Sequence, residues 1–146
     1  MGFSLRFPKA TTAGNHRTTE RHPMDWKIEL VAIPVTDVDR AIGFYRDQVG
    51  FALDHDHRVD GGIRFVQLTP PGSACSIVLG TGITEMTPGS QKGVQIVIND
   101  AEAALAQLRA AGVEAGDIQT LPWGRFVFFE DPDGNTWSLQ EIATRS

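Results

Sequence analysis

The stretch DHDHRVD, Asp54 to Asp60, concentrates more chemically capable side chains than any other part of the chain. His55 and His57 are two residues apart, so a strand would put both on one face and Asp54 and Asp56 on the other. Paired imidazoles suit metal ligation or proton transfer, because histidine titrates near neutral pH. A metal reading has no obvious third or fourth ligand, since the remaining histidines, His16 and His22, lie in the N-terminal tail. The competing reading is a solvated edge strand whose charges discourage edge-to-edge pairing. The pattern does not decide which face of this strand looks inward. Asp54, His55, Asp56, His57 and the more distant Glu141 are the candidates for moving protons. Cys75 is the sole cysteine, which excludes an intrachain disulfide and argues against a thiolate zinc site. With no base identifiable beside it, Cys75 reads as an inert thiol. Arg64 and Arg125 are candidate anion contacts, with ion pairing as the alternative.

A second stretch, DPDGNTWSLQE from Asp131 to Glu141, carries no such titratable cluster but has a clear plan. Its first half is a turn, with φ preset at Pro132 and a positive φ tolerated at Gly134. Its second half alternates, so Trp137 and Leu139 point one way and Thr136, Ser138 and Gln140 the other. The second face is polar but uncharged.

These residues must be positioned by a single domain, the default for 146 residues with 41% hydrophobic and 21% charged content. No apolar run reaches the roughly 20 residues that span a bilayer. The net charge is −5. Residues 1–23 carry Arg6, Lys9, Arg17 and Arg21 against Glu20, so the negative charge belongs to the rest of the chain. An acidic body without a basic stripe argues against nucleic acid. The tail has neither helical nor strand period. It reads as a disordered extension or an upstream start, with a targeting segment as the rival reading. Met24 would then begin a folded unit over 24–146, and a cytoplasmic location is expected.

Within that unit one plan occurs twice. Ile28 to Val35 is a strand-like run, followed by Thr36 as a helix N-cap with Asp39 three residues on. Val38, Ile42, Tyr45 and Val49 recur at helical spacing, and Gly50 stops the helix. Val94 to Ile98 is the second strand run. Asn99 is its cap, with Glu102 three residues on. Ala101, Leu105 and Leu108 form the helix stripe, and Gly112 is the stop. Asp37 matches Asp100 and Asp39 matches Glu102, a weak internal duplication. Three strands follow each helix: Ala52–Val59, Ile63–Leu68 and Ser76–Leu79, then Ala115–Thr120, Arg125–Glu130 and Thr136–Glu141. The expectation is an α+β fold of two βαβββ modules, about 26–80 and 92–142, forming a curved, cup-shaped mixed sheet with helices on its outer face. Alternation puts Val31, Ile33, Val35, Val94, Ile96, Ile98, Val127 and Phe129 against the helices. Leu30, Ala32, Gly93, Gln95, Val97, Phe126 and Phe128 are left for the cup, with Trp123 at its rim.

The segments LVAIPVTDVDRAIGFYRDQVGF, INDAEAALAQLRAAGVE and FVFFEDPDGNTWSLQE resemble the vicinal oxygen chelate superfamily, which includes glyoxalase I, bleomycin-resistance proteins and extradiol dioxygenases. The resemblance covers Asp25 to Glu141. It implies that metal-using members carry His or Glu at four inward-facing slots. These slots fall here on Leu30, on Val78 or a near neighbour within SIVLG, on Gly93 and on Ser138. None of those side chains binds a divalent ion well, so the family's Lewis-acid step has no evident donor set. No cofactor is expected.

The function that follows is metal-independent binding of an apolar or aromatic small molecule in the cup, of the bleomycin-resistance type. Its wall would be Leu30, Val78, Gly93, Gln95, Trp123, Phe126, Phe128, Thr136, Ser138 and Gln140, which matches the mixed character of ligand pockets in general. The alternative is a metal-free isomerase, lyase or cyclase on the same scaffold, with His55, His57 or a nearby carboxylate transferring protons. A non-catalytic interaction module ranks last. A small-molecule partner is expected, without nucleic acid or membrane, and the resemblance implies a homodimer.

Overall fold

Two runs of strand-forming residues, each leading into a capped helix, set the architecture. The computed structural model describes residues 24–143. The expectations for residues 1–23 lie outside them. The first module comprises β1 (Leu30–Ala32), α1 (Val38–Ile42) continuing as a π-helix (Gly43–Val49), β2 (Ala52–Val59), β3 (Ile63–Thr69) and β4 (Ser76–Thr81). The second comprises β5 (Val94–Ile98), α2 (Ala101–Ala110), β6 (Gln119–Leu121), β7 (Gly124–Glu130) and β8 (Thr136–Ile142). Strand order is β1-β4-β3-β2 in one sheet and β5-β8-β7-β6 in the other. The first strand of each module lies parallel to the last, and the remaining pairs are antiparallel. The expected cup therefore resolves into two open, four-stranded mixed sheets.

Several boundaries differ from the sequence pattern for local reasons. β1 is shorter than the run Ile28 to Val35. Its one neighbour, β4, begins at Ser76 opposite Leu30, and Pro34 has no N–H to continue the ladder. Both helix caps fall one residue later than Thr36 and Asn99. The Asp37 carboxylate accepts from Arg40 N and the Asp100 carboxylate from Ala103 N, each at 3.0 Å. Thr36 is engaged elsewhere, donating from its hydroxyl to Asp133 at 2.7 Å. The caps thus coincide with the repeated aspartates. Gly50 and Gly112 stop the helices with φ of 98° and 87°.

One core serves both sheets. It contains Val66, Leu68, Ile77 and Leu79 from the first sheet and Val127, Phe129, Trp137 and Leu139 from the second. Phe44, Tyr45, Ala101 and Leu108 join it from the helical segments. Tyr45 crosses between modules. Its ring lies 5.6 Å from Trp137, its hydroxyl donates to Asp131 at 2.7 Å and accepts from Trp137 Nε1 at 2.9 Å. Burial, then the neighbouring Asp131 carboxylate, pushes the Tyr45 phenol far above its ordinary range, so it stays protonated and able to donate.

Tyr45→Phe keeps the ring but strips a partner from the buried Asp131 carboxylate and another from the Trp137 indole. Urea denaturation is expected to show a loss of about 1–3 kcal/mol, with little change in the slope of the transition; a loss below a few tenths would contradict this account.

Candidate functional site

Because strand side chains alternate, the core-facing residues define an opposite, open face on each sheet. On the second sheet that face carries Gln95, Val97, Phe126, Phe128, Thr136, Ser138 and Gln140. Register places Phe128 beside Ser138 and Phe126 beside Gln140 on β7 and β8, and Gln95 beside Ser138 on β5 and β8. Phe126 and Phe128 stack, with ring centres 5.9 Å apart and planes within 8°. Phe126 is buried, whereas Phe128 is 40% exposed and Val97 60%. A concave cavity of about 920 Å³ takes in Gly93, Gln95, Phe128, Thr136 and Ser138, together with Phe44, Gln48 and the edge of the Asp131 turn.

The polar side chains of this face are joined in one directed chain. The Ser138 hydroxyl donates to Gln95 Oε1 at 3.1 Å, Gln95 Nε2 donates to Gln140 Oε1 at 2.8 Å, and Gln140 Nε2 donates to the Trp123 carbonyl at 3.1 Å. Each amide is oriented by its neighbours, yet each keeps a further N–H or lone pair to offer. Thr136 accepts from Gly93 N at 2.6 Å, which holds the entrance to β5 against β8. Trp123 is 59% exposed at the turn between β6 and β7.

The open face of the first sheet is different. A bulge between Leu53 and His55 shifts the register of β2. His55 then pairs with Gln67 and His57 with Phe65, on the side away from the core residues Val66 and Leu68. The histidines therefore share the face away from the core cluster with Gln67, Ser76 and Val78, all three of which are buried. Gln67 donates to Ser76 Oγ at 3.2 Å, and the Ser76 and Thr69 hydroxyls lie 2.6 Å apart. Asp54, at the bulge, is hydrogen-bonded to the Thr69 hydroxyl. Simple alternation had put Asp54 on the face of Asp56; the bulge brings it to Thr69 instead.

Two of the sequence-level proton-transfer candidates lie on the wrong side of their strands for the open face. Asp56 faces the helix side, where Arg64 grips it through Nε at 3.0 Å and Nη2 at 2.9 Å, and the same Arg64 reaches Asp39 at 3.0 Å. Arg64 hydrogen bonding holds the Asp56 carboxyl below the usual range. Glu141 accepts from Ala101 N at 2.7 Å at the start of α2 and lies 3.6 Å from Arg125, which also meets Glu102 at 3.0 Å. Both arginines are thus held in ion pairs. Burial, then Glu29, raises the Cys75 thiol, which keeps it protonated and poorly nucleophilic. Of the five titratable candidates, His55, His57 and Asp54 remain toward the open face.

The ten wall residues also divide. Leu30 and Val78 belong to the first sheet, six of the others to the second, and Gly93 and Trp123 flank strands of the second, with no strand pairing between the sheets. Alternation along single strands carries no information on how the modules share a core, and on β2 the bulge breaks it. The feature missed in the sequence is the directed Ser138–Gln95–Gln140 chain. The parallel β5–β8 register that creates it follows from the βαβ connection, and Gln95 and Gln140 both sit at polar-face positions.

A family model described as the Glyoxalase/Bleomycin resistance protein/Dioxygenase superfamily matches residues 27–139. The chain belongs to this superfamily. TnmS3, an antibiotic binding protein from Streptomyces sp. CB03234, is similar at 35% identity with a TM-score of 0.76, over 84% of this chain and 100% of that one. A superfamily member from Sphaerobacter thermophilus DSM 20745 is similar at 31% identity and TM-score 0.71, over 80% and 98%. The uncharacterized YetH of Bacillus subtilis (strain 168) is 29% identical over 119 residues, 79% of this chain and 98% of YetH.

The resemblance implies a metal in some members of the superfamily, and the four positions it marks, Leu30, Val78, Gly93 and Ser138, test the fit. Leu30 and Val78 offer hydrocarbon and Gly93 offers no side chain. Ser138 offers one neutral hydroxyl already directed at Gln95. This donor set does not fit a divalent ion. Among the described residues, no group of three or more His, Cys, Asp and Glu side chains is arranged to hold one.

The depressed Asp56 ionisation stabilises the fold above the ordinary carboxylate range near pH 4, and this contribution is lost as pH falls through the lower folded-state value. Asp56→Asn should therefore cost about 1 kcal/mol at neutral pH, after allowance for its partial exposure. Thermal melts should show the gap between variant and parent closing as pH falls below the ordinary carboxylate range; a gap constant with pH would refute the assignment.

Proposed function

We propose that this protein binds a planar, largely apolar small molecule on the open face of the second sheet, without a metal at the family's four slots. The observation that carries the reading is the directed chain from Ser138 through Gln95 and Gln140 to the Trp123 carbonyl, lying beside the exposed Phe128. A planar ring system would lie against Phe128 and Val97, with stacking at Phe128 contributing about 1 kcal/mol beyond its burial. The oriented amides and the Ser138 hydroxyl would then meet its carbonyl or hydroxyl groups. Gln95, Thr136, Ser138 and Gln140 are uncharged while Glu114 and Glu130 line the same cavity, which suits a neutral or cationic ligand rather than an anion. The likeness to TnmS3 supports an antibiotic or a similar natural product as the ligand class.

Binding here requires shape, stacking and preoriented hydrogen bonds, and no bond is made or broken. A cavity of about 920 Å³ meets this face at Gln95, Phe128, Thr136 and Ser138, which supports entry of a small molecule at that end. The apolar residues exposed around the second sheet, Val97, Leu121, Trp123, Phe128 and Ile142, also favour a homodimer that would shelter part of this surface.

Titrating the protein with planar aromatic antibiotics, read by tryptophan fluorescence, should identify binders whose affinity is unchanged by EDTA. Phe128→Ala should weaken such a binder roughly tenfold, about 1.4 kcal/mol, and Ser138→Ala by a smaller factor. Affinity that vanishes on chelation, or that ignores both substitutions, would overturn the reading. Light scattering on size-exclusion peaks should give a dimer mass at micromolar concentration, and a clean monomer would contradict the expected association.

A further inference from the structure

Glu130 lies on the open face that carries Phe128, two residues further along β7. It pairs across the ladder with Thr136 as Phe128 pairs with Ser138, and both Phe128 and Glu130 are exposed. Side chains at alternate positions of a strand stand roughly 6.6 Å apart, so a molecule stacked on Phe128 brings its edge within reach of the Glu130 carboxylate. The segment before β6 supplies a second acid. An isolated bridge pairs Ala115 with Phe129 in antiparallel sense, and that register puts the exposed Glu114 across from Glu130. Both glutamates line the cavity of about 920 Å³, and no Lys, Arg or His side chain does. The basic side chains of the second module are engaged elsewhere. Lys92 donates to the Gly134 carbonyl at 2.8 Å, Arg109 meets Asp117 and Arg125 meets Glu102, each at 3.0 Å. The third carboxylate of the cavity wall, Asp131, is held by Tyr45 and Asn135. Among the described residues, neither Glu114 nor Glu130 has a side-chain hydrogen bond or an ion pair.

We propose that Glu130 is a specificity-determining residue: among planar ligands stacked on Phe128, it selects those that carry a protonated amine. Glu114 supports it from the facing position. The inference rests on the planar-ligand reading above and adds the ligand's charge to it. Like charges at facing positions of neighbouring strands do not stabilise each other, so two glutamates here serve a cation better than they serve the fold. A concave wall of one sign also concentrates counter-ions. An ammonium group at this place donates to the Glu130 carboxylate in a charge-assisted hydrogen bond, the stronger kind. The ring system stays against Phe128, and its polar edge stays beside Gln95 and Ser138. A neutral ligand of the same shape keeps those contacts and lacks only the charged one.

The test uses the full chain and two probes that share one ring system. One is 2-(aminomethyl)anthraquinone, a cation near neutral pH, and the other is its neutral N-acetyl derivative. Tryptophan fluorescence titrations should show the unsubstituted protein binding the amine roughly tenfold more tightly than the N-acetyl form, a readout that needs no variant to fold. Raising the salt from about 0.05 M to about 0.5 M should shrink that ratio, because the Debye length falls severalfold. Glu130→Gln should bring the ratio close to one, and Glu114→Gln should lower it by a smaller factor. Equal affinity for two probes that both respond to Phe128→Ala, or a ratio that survives Glu130→Gln, would overturn this inference and leave the planar-ligand reading standing. If neither probe binds, the two fall together.

Discussion

The Asp131 carboxylate is the interaction on which the rest of the structure rests. It is only 4% exposed, and a buried carboxylate is costly unless its oxygens are satisfied. Here Oδ1 accepts from the backbone of Asp133 and Asn135, each at 2.9 Å. Oδ2 accepts from the Tyr45 hydroxyl at 2.7 Å and the Asn135 amide at 2.8 Å. The same Asn135 amide donates to the Pro34 carbonyl at the end of β1. One charged group thereby ties the turn before β8, the helix of the first module and the first strand. Losing any of these partners would leave the carboxylate under-solvated, so the two modules are coupled through a polar centre within an apolar core.

That centre also fixes the register of β8. The turn releases the chain at Thr136, and Trp137 must point into the core to reach Tyr45. Strand alternation then compels Ser138 and Gln140 to point outward, because a slip of one residue would exchange the two faces completely. The hydrogen-bonding wall of the second sheet is a geometric consequence of burying Trp137. A similar economy governs the charges. Asp37, Asp100 and Glu141 serve helix starts, while Asp39, Asp56 and Glu102 pair with arginines. The acidic side chains on the helix sides are occupied in holding elements, which leaves amides and hydroxyls on one open face and imidazoles on the other.

How much of this was legible in the sequence depended on which residues marked a face. On β8, apolar and polar residues alternate clearly, so the assignment of Trp137 and Leu139 to the core could be read directly, whereas the run FVFF on β7 is apolar on both faces and only its pairing with β8 separates them. On β2, the run DHDHR is polar at every position, so alternation gave no inward side. The bulge at Asp54 then changed the parity, which no spacing rule could supply. The repeated aspartates at 37 and 100 were visible as a duplication, but the caps were assigned to Thr36 and Asn99. Thr and Asn are both favourable caps in isolation, and only the contact of Thr36 with Asp133, nearly a hundred residues away, shows one reason why the cap moved. The same is true of the two-sheet arrangement, because sharing one core between modules depends on long-range contacts such as Tyr45 with Trp137.

The four positions that the resemblance marks as slots carry none of the forces that fold the chain. Leu30, Val78, Gly93 and Ser138 all lie outside the hydrophobic core cluster, although Val78 and Ser138 are well covered. The strands that carry them are held by the core on the opposite face and by the Asp131 network at the end of β8. Neither support passes through the slot side chains. A side chain at such a position can therefore change without removing the forces that fold the chain. What occupies the slot can then be chosen for the face alone. At Ser138 the hydroxyl begins a hydrogen-bond chain, and at Gly93 the absence of a side chain leaves the cavity open beside it. The same separation of support from surface lets one fold present different recognition chemistry on its two sheets.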